Sequence, residues 1–190
     1  MSLKILELRS YLELYPSNSI LSDLNSFSCS SDEDLQNFIR SGEFINFEKT
    51  HRCRVYFVLS EAEDEDERCV LKLKTGNYSV LGYFTIAVKT VFEGKIYPDQ
   101  RGDILGGQKN DVTYLIGHLC KNDSYKWKDG GAFMLKRCIE IIKSVHNRVG
   151  ISLILIECNN EKLVKYYSKH QFKNVGISKN GLYQMIIKFD

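Results

Sequence analysis

"VTYLIGHLCKNDSYKWKDGGAFMLKRCIEIIKSVH", residues 112–146, decides how this chain folds. It opens as a nearly continuous apolar strand (112–120) and breaks at the polar, lysine-bearing loop KNDSYKWKD. It restarts at Gly130-Gly131-Ala132 as a helix in which Phe133, Met134, Ile139, Ile142 and Val145 turn inward. A second apolar strand, ISLILIEC (151–158), follows. Two buried strands joined by a helix are expected to lie side by side, because a crossover of that kind returns the chain to the same sheet.

Working outward, NNEKLVKYYSKHQF (159–172) reads as a short amphipathic helix starting at an asparagine, and LYQMIIKF as a last alternating strand. Taken alone, its adjacent Tyr166 and Tyr167 read as packed core rings. Upstream, CRVYFVLS (53–60) has β-branched and aromatic strand character, and the EAEDEDE after it is most simply a solvated hairpin tip. CVLKLK reads as an extra strand, and YSVLGYFTIAVKTV as a longer one in which Gly82 marks a bulge or a close approach. The 92–111 segment reads as a long loop, of a length that is usually functional. In SCSSDEDLQNFIRSGEF a helix is expected, capped by Ser30 or Ser31, with Leu35, Phe38 and Ile39 on the face that docks on a sheet. The first residues, with Leu3, Leu6, Tyr11 and Leu14 on one face, read as an N-terminal helical extension (1–21) ahead of a main domain (22–190).

With 190 residues and 43% hydrophobic content the chain can bury one sizeable core. A net charge of +2, from 26 basic and 24 acidic side chains, creates no global field that demands nucleic acid or a membrane, so any polyanion site is local. The six cysteines, at 29, 53, 69, 120, 138 and 158, lack C-x-x-C spacing, which excludes the usual zinc and dithiol motifs and suits reduced thiols in a cytoplasmic protein. The charged N-terminus argues against a signal peptide or a membrane span.

A strand that ends in a lysine-bearing loop and restarts as a glycine-opened helix can cradle an anion. Glycine lets the backbone approach a phosphate, and the first helical N–H groups point at it with the favourable end of the dipole. Lys126 and Lys128 would add charge, and Trp127 could cover an apolar part of a ligand. Neither a G-x-x-x-x-G-K-[ST] loop nor a G-x-G-x-x-G fingerprint is present.

Over residues 22–190 this order of pieces resembles the GNAT superfamily of acetyl-CoA-dependent N-acetyltransferases. WKDGGA (127–132) is similar to its Q/R-x-x-G-x-G/A loop, with Gly130 and Ala132 in place and Trp127 where the family has Gln or Arg. Asn160 followed by LVKYYSKHQF is similar to an asparagine followed by A-x-x-F-Y-x-x-x-G-F, with Gln171 standing for the glycine. The resemblance implies a single α/β domain whose mixed central sheet is splayed at its middle strands, with helices on both faces. It implies acetyl-CoA held by Leu119, Cys120, Lys121, Lys126, Trp127, Lys128, Asp129, Gly130, Gly131, Ala132 and Asn160, with the acetyl group passed directly to an amine. Tyr167 then protonates the leaving thiolate, and Tyr166 packs. His118 and Glu157, near the ends of the two central strands, are the candidates for the base.

A narrower resemblance lies in FSCSSDEDLQNFIRSGEFINFEKTHRCRVYFVL and VLGYFTIA, similar to a GNAT branch that includes toxins acetylating the amino group of aminoacyl-tRNA. Ser30 replaces a glycine of that pattern. Lys121, Lys126, Lys128, Lys136 and Arg137 could serve tRNA phosphates, the phosphates of CoA, or solvent. A small molecule, a protein or aminoacyl-tRNA remain open as acceptors, and a second copy of the chain or an antitoxin protein as partners. A module that binds acetyl-CoA without turning it over is the non-enzymatic alternative.

Overall fold

The apolar runs at 112–120 and 151–158 form the strands their composition demands. The computed structural model describes residues 3–62, 69–92 and 110–189. Its strands are β1 (Leu3–Glu7), β2 (Arg54–Glu61), β3 (Val70–Leu73), β4 (Gly76–Phe92), β5 (Asn110–Lys121), β6 (Leu153–Cys158), β7 (Lys173–Ile177) and β8 (Tyr183–Lys188). Its helices are α1 (Leu8–Leu14), α2 (Ser17–Leu24), α3 (Glu33–Arg40), α4 (Glu43–Lys49), α5 (Gly130–Val149) and α6 (Glu161–Lys169). Hydrogen-bonded neighbours run β1-β2-β4-β5-β6-β8-β7, with β3 beside β4, in a mixed eight-stranded sheet. The acidic tip from residue 63 onward, and the 92–111 loop apart from its ends, lie outside the described residues. Among those residues no helix is long and apolar enough to cross a membrane.

β5 and β6 pair in parallel, as the intervening helix requires, but only from Tyr114↔Ile154 to Ile116↔Ile156. β5 then runs on to Lys121, and β6 to Cys158, outside that ladder. On α5 the buried positions are Met134, Leu135, Cys138 and Ile142, while Val145, expected inside, is 38% exposed. The apolar stripe is therefore narrower than the composition suggested, and it fades toward the C-terminal end of the helix.

The chain divides into two compact units. One comprises Met1–Ile86 and His118–Ile139. In it, residues 3–7 are an edge strand rather than a helix, registered antiparallel to β2 from Leu3↔Ser60 to Glu7↔Tyr56. Pairing engages the backbone groups on the inner edge of this segment, at alternate residues, whereas a short N-terminal helix would have to nucleate alone. Only from Leu8 does the chain turn helical, burying Leu8 and Tyr11. The cap of α3 is Asp32, not a serine: its carboxylate accepts from Asp34 N and Leu35 N at 3.1 and 3.2 Å. A carboxylate there also faces the positive end of the helix dipole. Ser30 is engaged elsewhere, donating its N–H and hydroxyl to Asp123 at 2.6 Å.

The other unit comprises Ala87–Gly117 and Glu140–Asp190. Its core packs Val91, Leu153, Leu155, Val175 and Ile186 with Leu115 alongside. Full burial of such side chains stabilises by about 1.5–3 kcal/mol each.

Candidate active site

Gly82 serves both purposes considered for it. The β2–β4 register slips there, from Val58↔Gly82 to Leu59↔Val80, so that Leu81 is the extra residue of a bulge. The backbone also passes so close to the end of β5 that a Cβ on Gly82 would lie 2.6 Å from Cys120 O and 3.2 Å from Lys121 Cα. Just beyond, Asn122 is 1% exposed and fully engaged. Its backbone N–H donates to Leu81 O (2.8 Å) and its Nδ2 to Val80 O (2.9 Å), while its Oδ1 accepts from Ser28 N (3.2 Å) and Ser124 N (3.1 Å). One amide thus ties the bulge of β4, the segment before α3 and the loop after β5.

That loop leads into the glycine-opened helix. A Cβ on Gly130 would meet the Trp127 ring at 2.4 Å and Lys121 Cδ at 2.9 Å, so glycine is required by the tryptophan folded over it. Trp127 O accepts from Lys121 Nζ (3.3 Å) and Gly130 N (3.4 Å), and its ring lies 5.5 Å from that of Phe133. Trp127 therefore braces the first turn of α5. Lys126, Lys128 and Asp129 are exposed beside it. The N–H groups of Gly131 and Ala132 find no acceptor among the described residues, as expected for the first turn of a helix.

On the opposite face of β5, His118 and Cys120 point toward α3. The His118 ring packs edge-on against Phe38 (4.3 Å) and lies 6.0 Å from Tyr83. Its Nδ1 is shielded from solvent without a partner among the described residues. Burial pulls its pKa below the usual 6.5, against an opposing pull from Asp32, so the ring is neutral at pH 7. The neighbouring Cys120 thiol, whose Sγ donates to Lys121 O at 3.5 Å, draws the Cys29 thiol down to about 6 against the effect of burial. Ser31 Oγ, 3.5 Å away, and the Asp32 amide add to the lowering. The neighbouring Cys29 thiol and then burial hold Cys120 far above its ordinary value. Cys29 is thus the thiol of the pair that ionises.

In the other unit, α6 is capped by Asn160, whose Oδ1 accepts from Leu163 N at 3.0 Å. Asn160 therefore has a structural duty besides the ligand role the resemblance gave it. Glu157 has both oxygens engaged, by Lys89 Nζ (2.6 Å) and Gln184 Nε2 (3.2 Å). Tyr167 is 6% exposed, with Tyr166 at 5.2 Å and Phe172 at 5.9 Å between ring centroids. Tyr166 is half-buried, its shielded hydroxyl is without a partner among the described residues, and burial raises its pKa.

One unit thus brings together His118 and the whole run from Leu119 to Ala132; the other brings together Glu157, Asn160 and Tyr167. Sequence reasoning missed Asn122, Cys29 and the polar residues of α3 and α4 near His118. An asparagine after a strand looks like any loop residue, and its distant partners lie on β4 and before α3.

No family model and no curated protein matches the chain. Among solved structures it is similar to a tyrosine-to-phenylalanine variant of KacT, with TM-score 0.71 and 16% identity over 99% of this chain and 95% of that one. It is similar to AtaT complexed with acetyl-methionyl-tRNAfMet, with TM-score 0.67 and 20% identity over 98% and 95%. A third similar structure is a variant of the toxin AtaT bound to the C-terminus of the antitoxin AtaR and acetyl-CoA, with TM-score 0.67 and 18% identity over 99% and 94%. Likeness at that identity, spanning nearly the full length of both partners, establishes that this chain has the mixed α/β fold of GNAT proteins.

Proposed function

We propose that this protein transfers the acetyl group of acetyl-CoA directly to an amine. The observation that carries the reading is the glycine-opened first turn of α5, with the Gly131 and Ala132 N–H groups unengaged among the described residues, one short loop after a β5 end that has left its ladder with β6. Such N–H groups suit the pyrophosphate of CoA, with Lys126 and Lys128 adding charge. The main chain of Leu119, Cys120 and Lys121 supplies polar groups for the thioester arm.

The amine nitrogen forms a bond to the acetyl carbon as the carbon–sulfur bond breaks. Its proton passes to neutral His118, while Tyr167 donates a proton to the departing thiolate. Glu157, held by Lys89 and Gln184, orders its strand instead of acting as the base. No acyl-enzyme is needed.

Incubation with labelled acetyl-CoA and a panel of charged tRNA, polyamines and peptides tests the reading. Label transfer should be lost in Tyr167→Phe with acetyl-CoA binding retained; unchanged turnover in that variant removes the proton-donor role. A second reading, acetylation of aminoacyl-tRNA, is favoured by the likeness to AtaT in its complex with acetyl-methionyl-tRNAfMet. An antitoxin-like partner protein belongs to that reading, as AtaT is bound to AtaR. Arrest of cell-free translation by the protein with acetyl-CoA supports it, and undisturbed translation at high protein counts against it.

A further inference from the structure

Resting on the amine-acceptor reading, we propose that a cup formed by α3, α4 and His118 binds an organic cation on an apolar stem. The preferred acceptor is then an amine bearing a second positive group a few carbons away. The cup has a volume of about 300 Å³, enough for a small ligand. Its floor is aromatic: Phe38 meets Phe47 edge-on at 5.4 Å and the His118 ring at 4.3 Å. Its polar lining includes Asp34, Asn37 and Glu43.

Three features select the ligand. The carboxylates of Asp34 and Glu43 have no ion-pair or hydrogen-bond partner among the described residues, whereas Glu48, Asp123 and Glu157 each have one. Two unneutralised carboxylates repel anions and attract an ammonium. The rings of Phe38 and Phe47 can cover methylene groups of the stem, while one face of Phe47 is already taken by the Arg52 guanidinium at 5.0 Å. The His118 imidazole lines the same cup, edge-on to Phe38, and offers the ligand's second end a neutral ring. A diamine meets all three demands, with one end at the carboxylates and the other, uncharged and ready for transfer, at the imidazole.

This chemistry is carried equally by a free diamine and by an amino-acid ester with a basic side chain. Titrating the full-length protein with 1,5-diaminopentane, n-pentylamine, pentanoate, lysine methyl ester and norleucine methyl ester separates the cases. The readout is the imidazole ¹H–¹⁵N resonances of His118, assigned with His118→Gln. We expect each dication to bind about tenfold more tightly than its monocationic partner, a difference of about 1.4 kcal/mol. The preference should disappear in the Asp34→Asn/Glu43→Gln double variant. Tighter binding of lysine ester than of diaminopentane assigns the cup to an aminoacyl acceptor, and the reverse order to a free polyamine. Equal affinities for dication and monocation, a preference unchanged in the double variant, or an unmoved His118 resonance overturns the proposal. Calorimetric binding of acetyl-CoA to the same sample separates the two failures: retained cofactor binding without dication preference sinks the cup alone, and absent cofactor binding sinks the transferase reading.

Discussion

Phe172 N–H donates to Tyr167 O at 3.2 Å, and the two rings lie 5.9 Å apart. Together with the Gln171 N–H bond to Ser168 O (3.2 Å), this is a Schellman end to α6, closed by its hydrophobic contact. The residue between, Gln171, therefore sits in the left-handed region at φ 70°, where the resembling motif has glycine.

Strain at such a position costs a non-glycine residue about 1–2 kcal/mol, and glycine loses about 0.5–1 kcal/mol in chain entropy. The strain outweighs the entropy. Gln171→Gly should stabilise by about 0.5 kcal/mol, whereas Gln171→Val, β-branched in the same conformation, should destabilise by more than about 1 kcal/mol. Urea midpoints decide; a loss of stability in the glycine variant refutes the account.

Gly82→Ala places a methyl carbon 2.6 Å from Cys120 O, a backbone atom that cannot swing aside. The end of β5 must move, at a cost of about 1–3 kcal/mol. Acetyl-CoA affinity, measured by calorimetry, should fall with stability, since the displaced residues are those proposed for the thioester arm. A stable variant with normal affinity contradicts this.

Asn122→Ala removes three side-chain hydrogen bonds and strands buried partners, which should destabilise by about 2–4 kcal/mol. A thermal melt within error of the parent protein contradicts the clasp.

The Cys29 thiol, held down to about 6 by Cys120, should ionise as pH rises through that value. Thiolate absorbance near 240 nm should therefore climb around pH 6 in the parent protein. The step should vanish in Cys29→Ala and move to higher pH in Cys120→Ala, where the main cause of the lowering is gone. A step surviving in Cys29→Ala assigns it to another thiol.

His118→Gln and Glu157→Gln should part company. With its pKa below 6.5, His118 is already neutral at pH 7, so transfer should be flat above that pH and decline as the ring protonates at lower pH. Removing the ring should slow turnover about 10²-fold or more. Glu157→Gln weakens a partly exposed ion pair and should cost less than about 1.5 kcal/mol while leaving kcat within about twofold. The opposite ranking in steady-state assays reassigns the base.

The second half of the chain was the more legible because its elements announce themselves locally. Apolar runs made β5 and β6, and the position of α5 between them made the two neighbours. What escaped depended on distant partners. Residues 3–7 became a strand because β2 offered an edge, and Ser30 lost the cap of α3 because Asp123, 93 positions away, engaged it. That Trp127 also braces the turn could not be read from the sequence, because it shows only in the space above Gly130. The cup beside His118 could not be read at all, since its acids and rings share no motif.

The Asn122 clasp also bears on the order of events in folding. Its bond to Ser28 N spans 94 positions, so the entropy of closing that loop must be met before the contact forms. The clasp should be absent from the transition state, and its loss should quicken unfolding while leaving the folding rate nearly untouched. During synthesis on the ribosome, the clasp cannot close until Asn122, nearly two thirds of the way along the chain, has emerged to meet Ser28.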